Sequence, residues 1–280
     1  MPQHLIIYHA NCWDGFAASW AMRQIPAWVG AECVPAHYGD NPPDVSGKHV
    51  AIVDFSYPRE TLLQMHAAAE SLIVLDHHKT AQADLEGLDF CEFDMERSGA
   101  MMACDYAKIR PGARQRQAIE YIQDRDLWRW KLPQSKEVSA WLRSMPMEDE
   151  TLEELSIAIP DDFKYWGLIA DGKTVLRTHQ AIVDAGVKHA VWIKLAGVDG
   201  LAVNCTTDGL FSEVAGKLAE SADFGAAYFI RCDGKVQWSL RSRDGGADVS
   251  LIAKAHGGGG HMAAAGFSST IKHLSEIYGQ

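Results

Sequence analysis

The chain has 280 residues, a length that fits two domains better than one. With 47% hydrophobic and 22% charged residues it has the composition of a soluble globular protein. It lacks any run of about 18 consecutive apolar residues, so we expect no membrane partner. The formal net charge of −11 argues against a protein that coats long duplex nucleic acid, because such proteins present a basic face.

The N-terminal sequence and the cysteines indicate the cellular compartment. The opening segment, MPQHLIIYHANCWDG, has no basic region before a long apolar run, so a signal peptide is not expected. The six cysteines are scattered without a CxxC pair, which argues against a zinc ribbon and against a disulfide scaffold. The expected location is therefore the cytoplasm.

Alternating strands and helices are predicted in the first part of the chain. Short apolar runs predict strands at His4–Tyr8, Lys48–Phe55 and Ser71–Leu75, with helices at about Gly15–Gln24 and Pro58–Glu70. Apolar strands separated by helices indicate a doubly wound α/β domain with a mainly parallel sheet. Residues 98–190 are predicted to extend this domain with helices that are interrupted at prolines.

A smaller α+β domain is predicted for the rest of the chain. The pattern predicts strands at Val191–Gly197, Leu201–Cys205, Ala226–Arg231 and Val236–Arg241, and helices at Phe211–Ala219 and Val249–His256. Ala263–Gly266 is expected to begin a closely packed helix. The boundary is placed after a helix that is expected to begin near Lys173, so the predicted domains are 1–187 and 188–280.

Each of the three N-terminal strands leads into residues that commonly bind metal ions. These are His9, Asn11 and Asp14 after the first strand, Asp54 after the second, and Asp76, His77 and His78 after the third. Ligands of an open parallel sheet bind beyond the carboxyl ends of its strands, so these side chains should converge. Asp124 and Asp126 end a helical stretch that can fold over the same edge. One aspartate after one strand is often only a loop cap, but three successive strand ends are harder to explain in that way.

The residue types indicate which metal ions would bind. Histidine and aspartate without a thiolate favour Mn²⁺, Mg²⁺ or Fe²⁺ over structural zinc. Two such ions about 3.5–4 Å apart hold the attacking and leaving oxygens of a phosphoryl displacement. A carboxylate shared by both ions would hold the pair together, and Asp54 is the candidate for that bridge. The sequence therefore predicts a metal-dependent phosphoesterase.

A glycine run near the C-terminus is a candidate site for an anion. Gly257–Gly260 precede His261, and such a run lets backbone N–H groups approach an anion closely. The segment from Arg231 to His256 contains five basic and three acidic residues, which is a local excess of positive charge in an acidic chain. A flexible glycine loop is the alternative interpretation.

These segments resemble the motifs of the DHH phosphoesterase superfamily, in the branch with the DHH-associated C-terminal domain, whose members include oligoribonucleases. The matching segments are HANCWDGFAA (His9–Ala18), IVDFS (Ile52–Ser56), LDHHKT (Leu75–Thr80) and GGGGHMAAAG (Gly257–Gly266), with weaker matches in RSGAMMACDY (Arg97–Tyr106) and IQDRDLW (Ile122–Trp128). They follow the family's order and span nearly the whole chain.

The resemblance implies two domains that face each other across a cleft, with two divalent cations, usually Mn²⁺, in the first domain. By position, the implied metal ligands are His9, Asp14, Asp54, His77 and Asp124. His78 is implied to contact the scissile phosphate, with Asp76 orienting the histidines. The implied phosphate-binding residues of the second domain are Arg241, Ser242, Gly258, Gly259, Gly260 and His261.

The first motif departs from the family pattern, since one of its two carboxylates is missing. Either Asn11 supplies an amide oxygen, or one metal ion has fewer ligands. In the last metal motif Asp124 is favoured over Asp126 because of its position near the helix end.

The resemblance implies hydrolysis of very short oligonucleotides or linear dinucleotides to mononucleotides. Alternative activities are a 3′-phosphoadenosine 5′-phosphate phosphatase and a cyclic-dinucleotide phosphodiesterase. A non-catalytic nucleotide-binding module is supported only by the missing carboxylate. Whether the substrate is RNA or DNA, and whether the chain forms a homodimer, are left open.

Overall fold

The computed structural model describes residues 3–206 and 210–278. The chain forms two compact units, Met1–Leu176 (unit 1) and Arg177–Gln280 (unit 2). None of the helices in the described part of the chain is long and apolar enough to cross a membrane.

Unit 1 is built around a parallel sheet with helices on its two faces. Its elements in chain order are β1 (His4–His9), α1 (Trp13–Met22), β2 (Glu32–Ala36), β3 (His49–Val53), α2 (Arg59–Ala68), β4 (Ser71–Asp76), α3 (Lys79–Asp84), β5 (Cys91–Phe93), α4 (Gly99–Tyr106), α5 (Arg114–Asp126), α6 (Ser135–Ser144), α7 (Asp149–Ala158) and α8 (Asp162–Gly186). The strand order is β2-β1-β3-β4-β5, and each neighbouring pair is parallel. The predicted α/β class is therefore confirmed.

The apolar side chains of the central strands alternate between two cores. Because successive residues of a strand point to opposite faces, Ile6 packs with α1 and α4 while Leu5 and Ile7 pack on the other face, where α2 lies. All three side chains are fully buried. Burial on both faces explains why these strands read as continuous apolar runs rather than as alternating ones.

The long helix α8 contains the division between the units. The sequence predicts that this helix begins near Lys173 and lies wholly in the first domain, with the boundary near residue 188. In the structure it starts at Asp162 and the units divide after Leu176. Its later part belongs to unit 2, where Val183 joins the apolar core. The predicted boundary follows the end of the helix, whereas the boundary defined by packing lies within it. The two differ because α8 contributes residues to both units.

Unit 2 contains a mixed sheet with helices. Its elements are β6 (Val191–Leu195), β7 (Val198–Asn204), α9 (Phe211–Ala219), β8 (Gly225–Ile230), β9 (Lys235–Arg241), α10 (Val249–Ala255), β10 (Gly259–Gly260), β11 (Ala264–Thr270) and α11 (Ile271–Tyr278). The strand order is β10-β11-β9-β8-β7-β6, in which β7 and β8 are parallel and the other neighbouring pairs are antiparallel.

The prediction of a helix that begins at Ala263–Gly266 is wrong, because Ala264–Gly266 lie in β11. Its alanines favour a helix by propensity, but pairing with β9 from Ala264 opposite Arg241 decides the conformation. Ala265 and Phe267 alternate into the core of unit 2. Gly266 permits the close pairing, since a Cβ there would lie 2.8 Å from the carbonyl oxygen of Trp238.

Candidate metal centre

Three neighbouring strands bring the predicted polar residues to one edge of the unit 1 sheet. β1 ends at His9, Asp54 follows β3, and β4 ends at Asp76, which precedes His77–His78. Because β1, β3 and β4 are adjacent and parallel, their carboxyl ends lie side by side. The local fold thus concentrates imidazoles and carboxylates at this edge.

The start of α4 packs directly against this edge. Asp54 has a left-handed backbone with φ +54°, a conformation that is uncommon for a residue other than glycine. A Cβ on Gly99 would lie 2.4 Å from Asp54 Cβ, so the approach of α4 requires glycine there. The next N–H, from Ala100, donates a hydrogen bond to Asp14 Oδ1 at 3.2 Å. The positive end of the helix therefore stabilises negative charge on Asp14.

His77 and Asp54 connect the side chains of the centre. His77 Nε2 lies 2.9 Å from Asp54 Oδ1 and 3.6 Å from Asp14 Oδ2. The second oxygen of Asp54, Oδ2, lies 3.6 Å from His9 Nδ1. Asp14, Asp54 and His77 are each only 1% exposed. The structure therefore brings together four of the five predicted metal ligands.

The proton affinities of these groups reflect crowded negative charge. Burial alone would lower the pKa of both imidazoles, but Asp54, with Cys12 beside His9 and with Asp126 and Asp14 beside His77, outweighs it. The pKa of His9 is raised to about 11 and that of His77 to about 10. Burial, together with the charges of Asp54 and Asp126, raises the pKa of Asp14 well above its usual range. Burial also opposes ionisation of Asp54, but its two histidine neighbours hold its pKa below the usual value. Without a metal ion the centre thus retains protons that compensate its carboxylates.

The centre has the donor atoms that a cation requires. Asp14 Oδ2, Asp54 Oδ2 and Asp76 Oδ2 are buried and have no hydrogen-bond partner among the described residues. Buried carboxylate oxygens are costly unless a hydrogen bond or a cation compensates them. The structure contains groups of histidine, cysteine and aspartate residues whose donor atoms lie within 4.8 Å of one another, namely His9–Cys12–Asp54, Asp14–His77–Asp126 and Asp54–Asp76–His78. These residues fit divalent metal ions.

Asp76 contacts both histidines that follow it. Its Oδ1 accepts hydrogen bonds from the His77 N–H at 2.8 Å and from His78 Nδ1 at 2.7 Å. Although burial favours its neutral form, the charges of the two histidines hold the pKa of Asp76 below the usual value. This arrangement fixes the orientation of the His78 ring, which is the role that the family resemblance implies for Asp76.

The structure places Asp126, rather than the predicted Asp124, among the ligand groups. Asp126 Oδ2 lies 3.6 Å from His77 Nε2. The carboxylate of Asp124 instead accepts hydrogen bonds from the N–H groups of Lys131 and Leu132, at 2.9 and 3.2 Å. Asp124 therefore holds the loop after α5. The ligand role of Asp124 stays a prediction, but in this structure its carboxylate is directed toward backbone donors and Asp126 is the aspartate that approaches His77.

Two features of the first motif could not be predicted from spacing. Cys12 groups with His9 and Asp54, so the donor set contains a thiol, contrary to the expectation of a site without one. The amide of Asn11 lies 3.2 Å from His37 Nε2, and its φ is +55°. A CxxC search does not find Cys12, since it is the only cysteine of its motif.

Tyr38 is a further residue near the centre that the sequence analysis does not identify. Its ring lies 5.5 Å from the ring of His9 and 6.1 Å from that of His78, measured between centroids. Tyr38 is exposed although it lies beside buried ligands. It follows β2, an edge strand that the sequence did not predict, so its proximity depends on strand order.

The predicted phosphate-binding residues of unit 2 lie on or beside β9 and β10, the two strands that flank β11. Ala264 exchanges backbone hydrogen bonds with His261 and pairs with Arg241 on its other side. Arg241 donates hydrogen bonds to the Leu240 carbonyl at 2.8 Å and to Ser212 Oγ. Gly258 is required by close packing, since a Cβ there would lie 2.1 Å from the carbonyl oxygen of Gly266.

Ser242 and the other two glycines belong to the same region. Ser242 is buried, its N–H donates to the carbonyl of Ala263 at 3.0 Å, and its hydroxyl donates to the carbonyl of Arg243 at 3.2 Å. Gly259 and Gly260 form β10 and pair with β11. The glycine run is therefore ordered by strand pairing.

Comparison with known proteins identifies the second unit. Residues 201–278 match the DHHA1 domain family. The uncharacterized protein R106 of Acanthamoeba polyphaga mimivirus is 26% identical over 294 aligned positions, which cover 94% of this chain and 67% of R106.

Solved structures share the fold at low sequence identity. The DHH domain of a member of the s1p family of ribosomal proteins has a TM-score of 0.63 at 15% identity, with 99% of this chain and 85% of that chain covered. The pGpG-specific phosphodiesterase PggH of Vibrio cholerae has a TM-score of 0.50 at 13% identity, with 99% and 96% covered. RecJ of Thermus thermophilus, in complex with Mn²⁺, has a TM-score of 0.50 at 14% identity, with 99% and 51% covered.

The DHHA1 match covers the glycine run and β11 of unit 2. In unit 1, the Asp-His-His sequence at the end of β4 lies at the edge of the parallel sheet, and the solved structures share this fold. The second unit therefore matches the DHHA1 domain family, and the chain shares its fold with a DHH domain, as the sequence resemblance implies.

Proposed function

We propose that the chain is a phosphodiesterase that hydrolyses very short oligonucleotides or linear dinucleotides to mononucleotides. The observation that carries this proposal is the set of buried carboxylate oxygens, on Asp14, Asp54 and Asp76, that lack a hydrogen-bond partner among the described residues. Such oxygens next to histidines fit a binding site for divalent cations.

Two divalent cations are the proposed cofactors, with Mn²⁺ first and Mg²⁺ or Fe²⁺ as alternatives. Carboxylate and imidazole donors suit these ions, and the RecJ structure contains Mn²⁺. When bound, such ions lower the pKa of water and offset the charge on the oxygens of a reacting phosphate. We assign the ligand roles to His9, Asp14, Asp54, His77 and Asp126.

Asp54 is the proposed link between the two ion positions. Its Oδ1 contacts His77 and its Oδ2 approaches His9, so its two oxygens face two different ligand groups. A carboxylate with this placement can bridge two cations.

His78 is the proposed contact to the scissile phosphate. The hydrogen bond between His78 Nδ1 and Asp76 orients the ring, so that Nε2 can donate a hydrogen bond to a phosphate oxygen. This positions the phosphate and compensates negative charge that develops on it.

Unit 2 is proposed to bind another phosphate group of the substrate through Arg241, Ser242, Gly258–Gly260 and His261. The DHHA1 match covers these residues. The net charge of −11 disfavours long nucleic acid, so a local basic region suits a short anion. PggH acts on the dinucleotide pGpG and shares the fold, which supports a linear dinucleotide as substrate.

A substrate panel tests this function. The full chain is incubated with Mn²⁺ and, in parallel, 5′-phosphorylated RNAs and DNAs of graded length, pGpG, cyclic dinucleotides and 3′-phosphoadenosine 5′-phosphate. We expect release of mononucleotides from the shortest linear substrates, lost in chelator and restored by Mn²⁺. The Asp54→Asn protein, purified in the same way, controls for contaminating nucleases.

Three outcomes would contradict the proposal. Equal release by wild type and Asp54→Asn would assign the activity to a contaminant. Nucleotide binding without turnover of any substrate would favour the non-catalytic binding module, and exclusive release of inorganic phosphate from 3′-phosphoadenosine 5′-phosphate would favour the phosphatase.

A further inference from the structure

Cys12 occupies the turn between β1 and α1, at the N-cap of α1 and between the proposed ligands His9 and Asp14. Its Sγ, a ring nitrogen of His9 and a carboxylate oxygen of Asp54 all lie within 4.8 Å of one another. An imidazole, a thiol and a carboxylate from two adjacent strand ends therefore surround one position.

The second observation concerns the burial and the hydrogen bonding of Asp54 Oδ2. This oxygen is buried, has no hydrogen-bond partner among the described residues, and lies 3.6 Å from His9 Nδ1. It is therefore the Asp54 oxygen on the side of His9, the residue with which Cys12 also groups. A buried carboxylate oxygen in this condition indicates that an ion completes the group.

Cys12 belongs to the first motif, which lacks one carboxylate of the family pattern. The sequence permits two explanations for the missing ligand, an amide oxygen from Asn11 or a smaller set of ligands on one ion. In the structure the Asn11 amide contacts His37, at 3.2 Å, while the adjacent thiol groups with His9 and Asp54. Within the described part of the chain, the other cysteines belong to no such ligand group.

We propose that the Cys12 thiolate is a ligand of the metal ion held by His9 and Asp54. On binding, the thiol proton passes to solvent and a sulfur–metal bond forms. A thiolate favours softer ions, so this position should prefer Fe²⁺, Co²⁺ or Zn²⁺ over Mn²⁺ and Mg²⁺. The Asp14–His77–Asp126 position keeps oxygen and nitrogen donors only. The inference rests on the proposed function in one respect, that unit 1 binds metal ions.

Spectroscopy on the cobalt-loaded protein tests this assignment without measuring activity. The metal-free full chain is titrated with Co²⁺ under anaerobic conditions, and thiolate-to-cobalt charge-transfer absorption is recorded in the near ultraviolet. We expect the band in wild type and in Cys33→Ser, which is the matched control because Cys33 is also half-buried and lies outside the ligand groups. Cys12→Ser and Cys12→Asp should lack it.

Metal selectivity provides the second measurement. Cys12→Asp replaces the thiol by a hard oxygen ligand, so the ratio of Co²⁺ to Mn²⁺ affinity should shift toward Mn²⁺ by roughly 10–100-fold. This variant should still bind ions, which distinguishes a changed ligand from a chain that fails to fold.

The outcomes separate this inference from the proposed function. Cobalt binding to wild type without the charge-transfer band, or a band that persists in Cys12→Ser, would overturn the role of Cys12 and leave the metal centre standing. Failure of folded wild type to bind either Co²⁺ or Mn²⁺ would overturn both. An unchanged Co²⁺ to Mn²⁺ ratio in Cys12→Asp would refute the proposed selectivity.

Discussion

The candidate metal centre of unit 1 and the proposed phosphate-binding region of unit 2 hold their polar residues in different ways. In unit 1, Asp14 and Asp54 are 1% exposed, and each has a carboxylate oxygen without a hydrogen-bond partner in the described chain. In unit 2, Ser242 is 7% exposed, but its N–H and hydroxyl both donate to backbone carbonyls. The first site accumulates negative charge that a cation would relieve, whereas the second is held by neutral hydrogen bonds.

This difference indicates what each site contributes. A centre whose buried carboxylates are compensated only by retained protons is incomplete without its ions, so the largest losses of activity are expected from substitutions there. A region that is already ordered by strand pairing can offer its donors to an anion, and single substitutions there should weaken binding by smaller factors. The following substitutions test that ranking.

The largest effect is expected for Asp54→Asn. The substitution preserves size but removes the charge that faces both His9 and His77. We expect kcat/KM with Mn²⁺ to fall by at least about 10³-fold, with an unchanged circular dichroism spectrum. Turnover close to wild type in a folded, Mn²⁺-loaded Asp54→Asn protein would remove the bridging role.

A comparison of His77→Ala with His78→Ala sharpens the roles inside the metal centre. His77 lies among three carboxylates, while His78 bonds Asp76. His77→Ala should lower metal content, and His78→Ala should retain metal while kcat falls by about 10²-fold. Metal analysis of both proteins is the measurement, and equal metal loss would refute this division of roles.

Substitutions in unit 2 should have a smaller effect that depends on substrate length. Each charge-assisted hydrogen bond contributes roughly 1.5–3 kcal/mol, so Arg241→Ala or His261→Ala should lower kcat/KM by about 10–100-fold on short oligonucleotides. Hydrolysis of a small aryl phosphodiester should change little. Arg243→Ala is the matched control, because it removes the same charge from an exposed neighbour.

The dependence on length tests the same assignment in wild type. We expect kcat/KM to be highest for dinucleotides to roughly five-nucleotide substrates, because remote binding can be used in the transition state once the substrate carries a second phosphate. A rate that rises steadily to twenty nucleotides, or equal losses on the aryl ester in both variants, would contradict the assignment of unit 2 to phosphate binding.

The smallest effects on activity are expected for substitutions of Asp126 and Asp124. Of the two, Asp126 should affect metal binding and Asp124 should affect stability. Asp126→Asn should weaken Mn²⁺ binding by roughly 10-fold, because its carboxylate faces His77. Asp124→Ala leaves the N–H groups of Lys131 and Leu132 without their acceptor, so the free energy of unfolding should fall by about 1–3 kcal/mol. Metal titration and chemical denaturation of both variants are the measurements. The opposite pattern would restore Asp124 as the ligand.

The prediction of strands from the sequence is confirmed in the centre of the unit 1 sheet, but it missed the two edge strands. β1, β3 and β4 are buried on both faces and therefore carry uninterrupted apolar runs. β2 contains Pro35 and an exposed Glu32, and β5 has only three residues. Such edge strands lack a continuous run of apolar residues, so their strand conformation depends on pairing with the neighbouring strand.

The sequence by itself determined the α/β class and the convergence of three strand ends, because apolar strands separated by helices impose a parallel sheet whose carboxyl ends coincide. Only the tertiary structure shows which of Asp124 and Asp126 approaches His77. Residues two apart on a helix point roughly 200° apart, so the rotation of α5 against the sheet selects one of them. The same holds for Cys12 and for β11, because the backbone turn after β1 and the pairing with β9 depend on contacts between segments distant in the chain.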